Sequence, residues 1–228
     1  MKKNILIVGS SSDIARSLMF NSNYNYTKLT SKENGFDIMD KTTFPEIKNI
    51  DGIVYFPGTI NLKPFNSLKA SDFQKDYEIN VVGLINILQH YISNLNNNSS
   101  LVFLSTVAVK VGLKFHASIS MCKAAIEGLT RSLASELSPK VRVNCVSPSI
   151  ISTKLSSRIL KNETTKEKII NDHPLKRIGE PEDIANMIEF LLSNKSSWIT
   201  GQNMHVDGGL SSIKIWLLKK LKLKNLND

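Results

Sequence analysis

The segment Asn4-Ile-Leu-Ile-Val8-Gly9-Ser-Ser-Ser-Asp13-Ile14-Ala15 decides how the rest of this 228-residue chain is read. A short apolar run ends in a glycine and three serines, and a helical pattern begins directly after them. A strand therefore enters a glycine-containing turn at a helix N-terminus. Backbone N–H groups there, together with the helix dipole, favour a pyrophosphate. Only the first of the three glycines of a dinucleotide turn is present, with Asp13 and Ala15 in the other two places. In isolation the stretch reads equally as a serine-rich N-cap turn. Its place as the first strand-turn-helix of an α/β chain gives the ligand reading its weight, because ligands bind outside the carboxyl ends of such strands.

Outward from that turn, short apolar runs alternate with longer helical patterns, the signature of βαβ units and a parallel sheet. The expected strands are Asn4–Val8, Thr27–Thr30, Ile53–Phe56, Leu101–Leu104, Val141–Val146 and Asn203–Val206. Residues 72–95 carry Phe73, Tyr77, Val81, Leu84, Ile85, Leu88, Tyr91, Ile92 and Leu95 at helical spacing. A second helix starts at Pro181, with Glu182 and Asp183 at its positive end. Residues 30–37 leave no room for a crossover helix, so a reduced sheet edge is expected there. Residues 149–180 are polar, basic and weakly periodic, and read as a mobile flap over a site. The fold expected is a Rossmann-type doubly wound parallel sheet in one α/β domain over residues 1–210, followed by a basic tail, 211–228.

Composition sets bounds on function. At 41% hydrophobic and 21% charged, the chain suits one globular domain with a sizeable core. Cys122 and Cys145 have no CxxC or metal-ligand spacing, and His90, His116, His173 and His205 form no close cluster, so neither a structural disulfide nor a metal site is expected. Of the net charge of +9, +4 sits in residues 211–228. The remainder forms no basic stripe, which argues against a nucleic-acid partner. The apolar residues of the tail spread round a helical wheel, so a packing helix or subunit-contact arm is expected and a peripheral membrane contact is the alternative. No segment approaches the roughly 20 apolar residues of a membrane span, and a cytoplasmic location is expected.

Four segments, SMCKAAIEGLTRSLASEL (120–137), VRVNCVSPSIISTKL (141–155), HPLKRIGEPEDIA (173–185) and ITGQNMHVDGG (199–209), give the chain a specific likeness in their order and spacing. Over roughly residues 4–209 it resembles the short-chain dehydrogenase/reductase family, nearest in pattern to its 3-oxoacyl-acyl-carrier-protein-reductase-like members. The resemblance implies a nicotinamide cofactor. Its phosphates would lie on the turn with Gly9, Ser11, Ser12, Asp13 and Ile14, and its adenine beside Asp37 and Ile38. Gly58 would border the ribose, where Tyr55-Phe56-Pro57-Gly58 replaces the usual Asn-Asn-Ala-Gly. Pro148, Ile151 and Thr153 match the segment that holds the carboxamide, with Ser149 where the family usually has glycine. At the end of the second strand, Thr30-Ser31-Lys32 offers the hydroxyls and cation that suit a ribose phosphate, so NADP(H) is expected, with NAD(H) the alternative if Glu33 faces the ribose instead.

The resemblance also implies a hydride exchanged between nicotinamide and a carbonyl or alcohol carbon of a small-molecule or carrier-bound substrate. The family handles the proton with Asn, Ser, Tyr and Lys; the matching positions are Asn80, Thr106, Ile119 and Lys123, with Ser105 the alternative hydroxyl one residue away. An isoleucine neither donates nor accepts a proton. On a helix starting near Phe115, His116, Ile119, Ser120 and Lys123 share a face, so His116 is a candidate acid/base and Ser120 a relay; the alternative is a His116 that merely opens the helix. Lys123 is expected to bind the nicotinamide ribose. Family members commonly form dimers or tetramers through this helix and the long one before it. Two functions follow: an oxidoreductase with an atypical proton donor, or a catalytically inactive NADP-binding structural or regulatory subunit.

Overall fold

The computed structural model describes residues 2–22, 24–31 and 35–214. Its elements run in the order β1 (Asn4–Val8), α1 (Asp13–Asn21), β2 (Asn25–Leu29), β3 (Ile50–Tyr55), α2 (Ala70–Tyr77), α3 (Gly83–Tyr91), β4 (Leu95–Leu104), α4 (Ala108–Val111), α5 (Ala117–Leu137), β5 (Val141–Pro148), α6 (Ser157–Leu160), α7 (Glu163–Asp172), α8 (Pro181–Leu192) and β6 (Asn203–Val206). All pairings in the six-stranded sheet are parallel, in the order β2-β1-β3-β4-β5-β6. The chain leaves β1 toward β2 and then resumes on the other side of β1 with β3. That reversal is the switch point at which open α/β sheets bind ligands.

The central strands β1, β3 and β5 and the second half of β4 are buried on both faces, with side chains alternating across the pleat, whereas edge strand β2 is largely exposed and β6 half-buried. In β1, Leu6 and Val8 join the cluster that holds Leu84, Ile87, Tyr91 and Ile126 of α3 and α5, whereas Ile5 and Ile7 join Ile14, Leu18, Ile184 and Ile188 of α1 and α8. The sheet is thus the middle of three layers. Fully burying one such aliphatic side chain stabilises the fold by about 1.5–3 kcal/mol, so the paired clusters fix the register of the turn that follows β1.

Several expectations change in detail: β2 spans Asn25–Leu29 rather than Thr27–Thr30, β3 Ile50–Tyr55 rather than Ile53–Phe56, and β5 runs on to Pro148. The first strand, the last strand and the helix from Pro181 have the expected limits, but β4 begins at Leu95 rather than Leu101, through polar residues that carry no apolar alternation. The long helix over 72–95 is interrupted by a π-turn, Glu78–Val82. The flap 149–180 contains two helices, α6 and α7, and α7 has no buried residue. A helix without a buried stripe leaves no periodicity to read. Between β2 and β3 the described residues hold only a single 3₁₀ turn, Lys41–Thr43, in keeping with a reduced sheet edge. Among the described residues no helix is long and apolar enough to cross a membrane. The tail lies outside the described residues beyond Lys214.

Candidate active site

A cavity of about 1000 Å³ opens at the carboxyl ends of β1, β3, β4 and β5. At one end lie Gly9, Ser11, Ser12, Asp13 and Ile14. Gly9 has φ +80°, and a Cβ there would sit 2.9 Å from Pro57 Cδ, so the turn hugs the β3 loop in a way only glycine permits. Ser12 caps α1 by position without a side-chain hydrogen bond, which leaves the first-turn N–H groups without a side-chain acceptor. Asp13 binds the flap instead, accepting from Lys154 N at 2.7 Å. Farther out, Thr30, Ser31, Asp37 and Ile38 line the wall. The Asp37 carboxylate accepts from Met39 N at 2.9 Å. The expected cation Lys32 lies outside the described residues.

The floor is built around Gly58. A Cβ on Gly58 would lie 3.3 Å from Asn80 Oδ1 and 3.6 Å from Lys123 Nζ. Glycine thus keeps open one position shared by a buried amide and a buried ammonium. Asn80 sits on the π-turn, and its Nδ2 donates to Asp76 O at 2.8 Å and Thr59 Oγ1 at 3.0 Å. Its Oδ1 is buried without a partner. The Tyr55 hydroxyl donates to Ile79 O at 2.6 Å, one residue before Asn80, so the tyrosine that departs from the family pattern anchors the π-turn. Burial pushes the Tyr55 phenol up, and the group stays neutral. Lys123 is 8% exposed, and desolvation lowers its ammonium pKa to about 8, with the neighbouring Cys145 and Cys122 thiols acting in the opposite direction. Those thiols are free and buried, their own pKa values pushed up to about 12 and about 11 by the same desolvation.

Ser105 and Thr106 both line the cavity, with different commitments. Ser105 Oγ donates to Glu127 Oε1 at 2.7 Å and so is engaged with α5. Thr106 Oγ1 accepts from Ala108 N at 3.3 Å, which leaves its O–H to donate to a ligand. His116, Ile119 and Lys123 line one wall, as a shared helix face requires. Ser120 is not among the lining residues; its backbone N–H donates to His116 O in the first turn of α5. Asn80 is fully buried behind Gly58, and it too is absent from the lining.

Pro148, Ile151 and Thr153 line the opposite wall with Ser149 and His173. Ser149 Oγ and His173 Nε2 are 2.5 Å apart. Sequence reading passed over this pair, whose members are 24 residues apart; the serine in a glycine position was the available signal. Arg158, Lys161, Lys176 and Arg177, cations that a sequence reader would offer to an anionic substrate, do not line the cavity. Arg177 is bound to Asp183 at 2.6 Å and 2.8 Å.

Residues 28–211 match the family model described as Enoyl-(Acyl carrier protein) reductase. The chain is 37% identical over 147 residues to a tropinone reductase-like protein of Erythroxylum coca, covering 63% of this chain and 56% of that one. It is 30% identical over 213 residues to the 3-oxoacyl-[acyl-carrier-protein] reductase of Rickettsia prowazekii, covering 90% and 86%. It spans 56% to 60% of the length of three plant relatives. Among solved structures, a short-chain dehydrogenase/reductase of Brucella melitensis, titled a glucose/ribitol dehydrogenase, superposes with TM-score 0.80 at 28% identity, covering 92% of this chain and 99% of its own. A small-chain dehydrogenase solved with NADPH shares the fold, with TM-score 0.82 at 23% identity and coverage of 92% and 99%. The parallel sheet, the cavity at its switch point and these matches together make this chain a member of the short-chain dehydrogenase/reductase family.

Proposed function

We propose that this chain is an NADP(H)-dependent oxidoreductase that interconverts a carbonyl and a hydroxyl group, with the proton supplied by a cavity-wall group other than residue 119. The observation that carries the reading is Lys123: a buried ammonium that lines the cavity beside Gly58, its Nζ 3.6 Å from where a Cβ on that glycine would lie. A buried polar atom without a partner carries a desolvation penalty of about 1–3 kcal/mol. A ribose hydroxyl accepting from Lys123 Nζ would offset the penalty that its ammonium carries.

When bound, the cofactor supplies or accepts the hydride. The chain's own residues do the rest. The Gly9 turn and the N-terminus of α1 receive the phosphates, Asp37 and Ile38 flank the adenine, and the hydroxyls of Ser11, Thr30 and Ser31 face the ribose phosphate, with Lys32 its expected cation. Lys123 binds the nicotinamide ribose, Pro148, Ile151 and Thr153 hold the carboxamide side, and the Thr106 hydroxyl donates to the substrate oxygen. At position 119 the wall is apolar and 6% exposed, so it shapes the pocket and moves no proton. On the same wall, His116 Nδ1 is 2.7 Å from Lys114 O, and as a proton donor it is tested by His116→Ala. Met121, Ala124 and Ala125 lie exposed on α5, a small-residue face suited to a second copy in a homodimer or homotetramer.

The test is a fluorescence titration with NADPH and NADH, followed by a panel of ketones and alcohols. Tighter NADPH binding with turnover on at least one carbonyl supports the reading. A preference for NADH overturns the cofactor assignment. NADPH binding without turnover on any substrate leaves a cofactor-binding subunit in place of an enzyme.

A further inference from the structure

We propose that Ser149 donates the proton that residue 119 cannot, with His173 as its relay; this rests on the oxidoreductase reading above. His173 is 3% exposed at the C-cap of α7, yet it lines the cavity. Its ring is wedged against the glycine turn after β6, where a Cβ on Gly208 would lie 3.5 Å from His173 Cδ2. His173 Nδ1 is 2.6 Å from Ile169 O. A carbonyl oxygen only accepts, so Nδ1 carries the hydrogen and, in the neutral ring, Nε2 presents a lone pair. At 2.5 Å from that nitrogen, the Ser149 hydroxyl is the donor. This is the polarity that serves oxidation; in the imidazolium Nε2 carries a hydrogen as well and donates to Ser149 Oγ, which frees the serine O–H for a substrate oxygen in reduction.

Position completes the case. Ser105 N donates to Val146 O at 2.8 Å, and Val107 N donates to Pro148 O at 3.0 Å. These bonds carry the β4–β5 ladder past the strand ends and set Thr106 beside the residues just before Ser149. Thr106, whose hydroxyl is assigned to the substrate oxygen, and Ser149 therefore lie on neighbouring chain segments, and both line the cavity. With glycine at this position, as the family usually has, His173 would have no hydroxyl to act through.

In the reduction direction the carbonyl carbon gains a hydride and its π electron pair moves to oxygen. That oxygen takes the Ser149 Oγ proton as Oγ takes the Nε2 proton of the His173 imidazolium. The net change is one proton lost from His173, which solvent restores. In oxidation the neutral imidazole receives the proton through Ser149. Ser149 is the catalytic group, and His173 is a positioning and relay residue that acts through it.

The experiment compares the wild type with Ser149→Ala, Ser149→Gly, His173→Gln and His173→Ala, using NADPH and the best carbonyl of the panel. Each variant is expected to bind NADPH within about twofold of the wild type and to keep KM, while kcat falls about 10²-fold, the usual effect of removing a positioned acid/base. The solvent deuterium isotope effect on kcat is expected to change in all four, and added imidazole to restore His173→Ala but neither Ser149 variant. Independently of turnover, the imidazole nitrogen chemical shifts of the unliganded chain should show hydrogen on Nδ1 of His173, and the Nε2 shift should move in Ser149→Ala. Variants that keep wild-type turnover and isotope effect overturn the proposal, as does a loss of turnover with no isotope change and no imidazole rescue. A larger loss in His116→Ala than in the Ser149 variants overturns it in favour of His116. A wild type that binds NADPH and reduces nothing in the panel overturns the oxidoreductase reading itself, and is thereby distinguished from failure of the relay.

Discussion

The two ends of the cavity follow different rules. At the Gly9 end and on the floor, backbone geometry is held by residues with little latitude: a glycine at φ +80° pressed against Pro57, and a second glycine between Asn80 and Lys123. On α5 an isoleucine stands where the family resemblance places the proton-moving tyrosine, and a hydroxyl–imidazole pair, Ser149 and His173, lines the cavity from the end of β5 and the cap of α7. On the proposed assignments, cofactor binding and proton transfer are separable tasks in this fold. Binding needs close backbone approach and one buried charge, so it tolerates few substitutions. Proton transfer needs only a group within reach and can move from one wall to another.

The comparison breaks most sharply at Lys123. Replacing Lys123 with Met is expected to weaken NADPH binding about 10²-fold or more, as expected for loss of a buried charged contact, and to abolish measurable turnover; fluorescence titration and steady-state assay check both. The same variant should be more stable without cofactor at pH 7 by about 2 kcal/mol, measured by urea unfolding. The sign follows from linkage. The folded-state pKa of Lys123, about 8, is below its ordinary 10.5, so between those values the unfolded chain binds more protons and wild-type stability rises with pH. That rise should be missing from the Met variant.

At the other end of the cavity, Gly9→Ala combines a strained positive φ with a clash at 2.9 Å against Pro57 Cδ. It is expected to cost about 1–3 kcal/mol of stability and to weaken NADPH about tenfold while leaving imidazole rescue of His173→Ala intact. If Gly9→Ala lowered the chemical step at saturating NADPH as much as it lowered affinity, the separation of the two ends would fail. The smallest effect is expected at Arg177. Its ion pair with Asp183 is exposed to solvent, so Arg177→Ala should barely change stability and leave NADPH affinity and turnover unchanged. A marked rise in KM for an anionic carbonyl in that variant would instead bring the flap cations into substrate binding.

Much of this architecture is legible in the sequence, for physical reasons that differ by element. β1 shows its full extent because a strand buried on both faces is an apolar run, here ended by Gly9, and α8 because Pro181 and its acidic first turn mark its start. The polar start of β4 is not legible: Asn97 and Asn98 lie in an irregular stretch between the pairs Ile50–Leu95 and Gly52–Ser100, with no apolar alternation to mark it. The π-turn under Asn80 escapes periodicity because a tertiary contact accompanies it, the Tyr55 hydroxyl on Ile79 O. At the site, the shared face of His116, Ile119 and Lys123 follows from helical spacing alone. Ser120 shows the limit of that inference, since a residue one turn from Lys123 and adjacent to Ile119 is absent from the cavity wall. The Ser149–His173 pair is invisible to spacing because it joins the end of β5 to the cap of α7 through the fold, and each residue alone reads as an ordinary loop residue.

The central claim, that the cofactor end is intact while the proton has changed walls, is tested most directly by single-turnover carbonyl reduction with NADPH in four chains: wild type, Ile119→Tyr, Ser149→Ala and the double variant. The account predicts an active wild type, a change of less than about tenfold in Ile119→Tyr, a loss of about 10²-fold in Ser149→Ala, and substantial recovery when tyrosine is added to Ser149→Ala. A silent wild type with activity appearing only in Ile119→Tyr would contradict it.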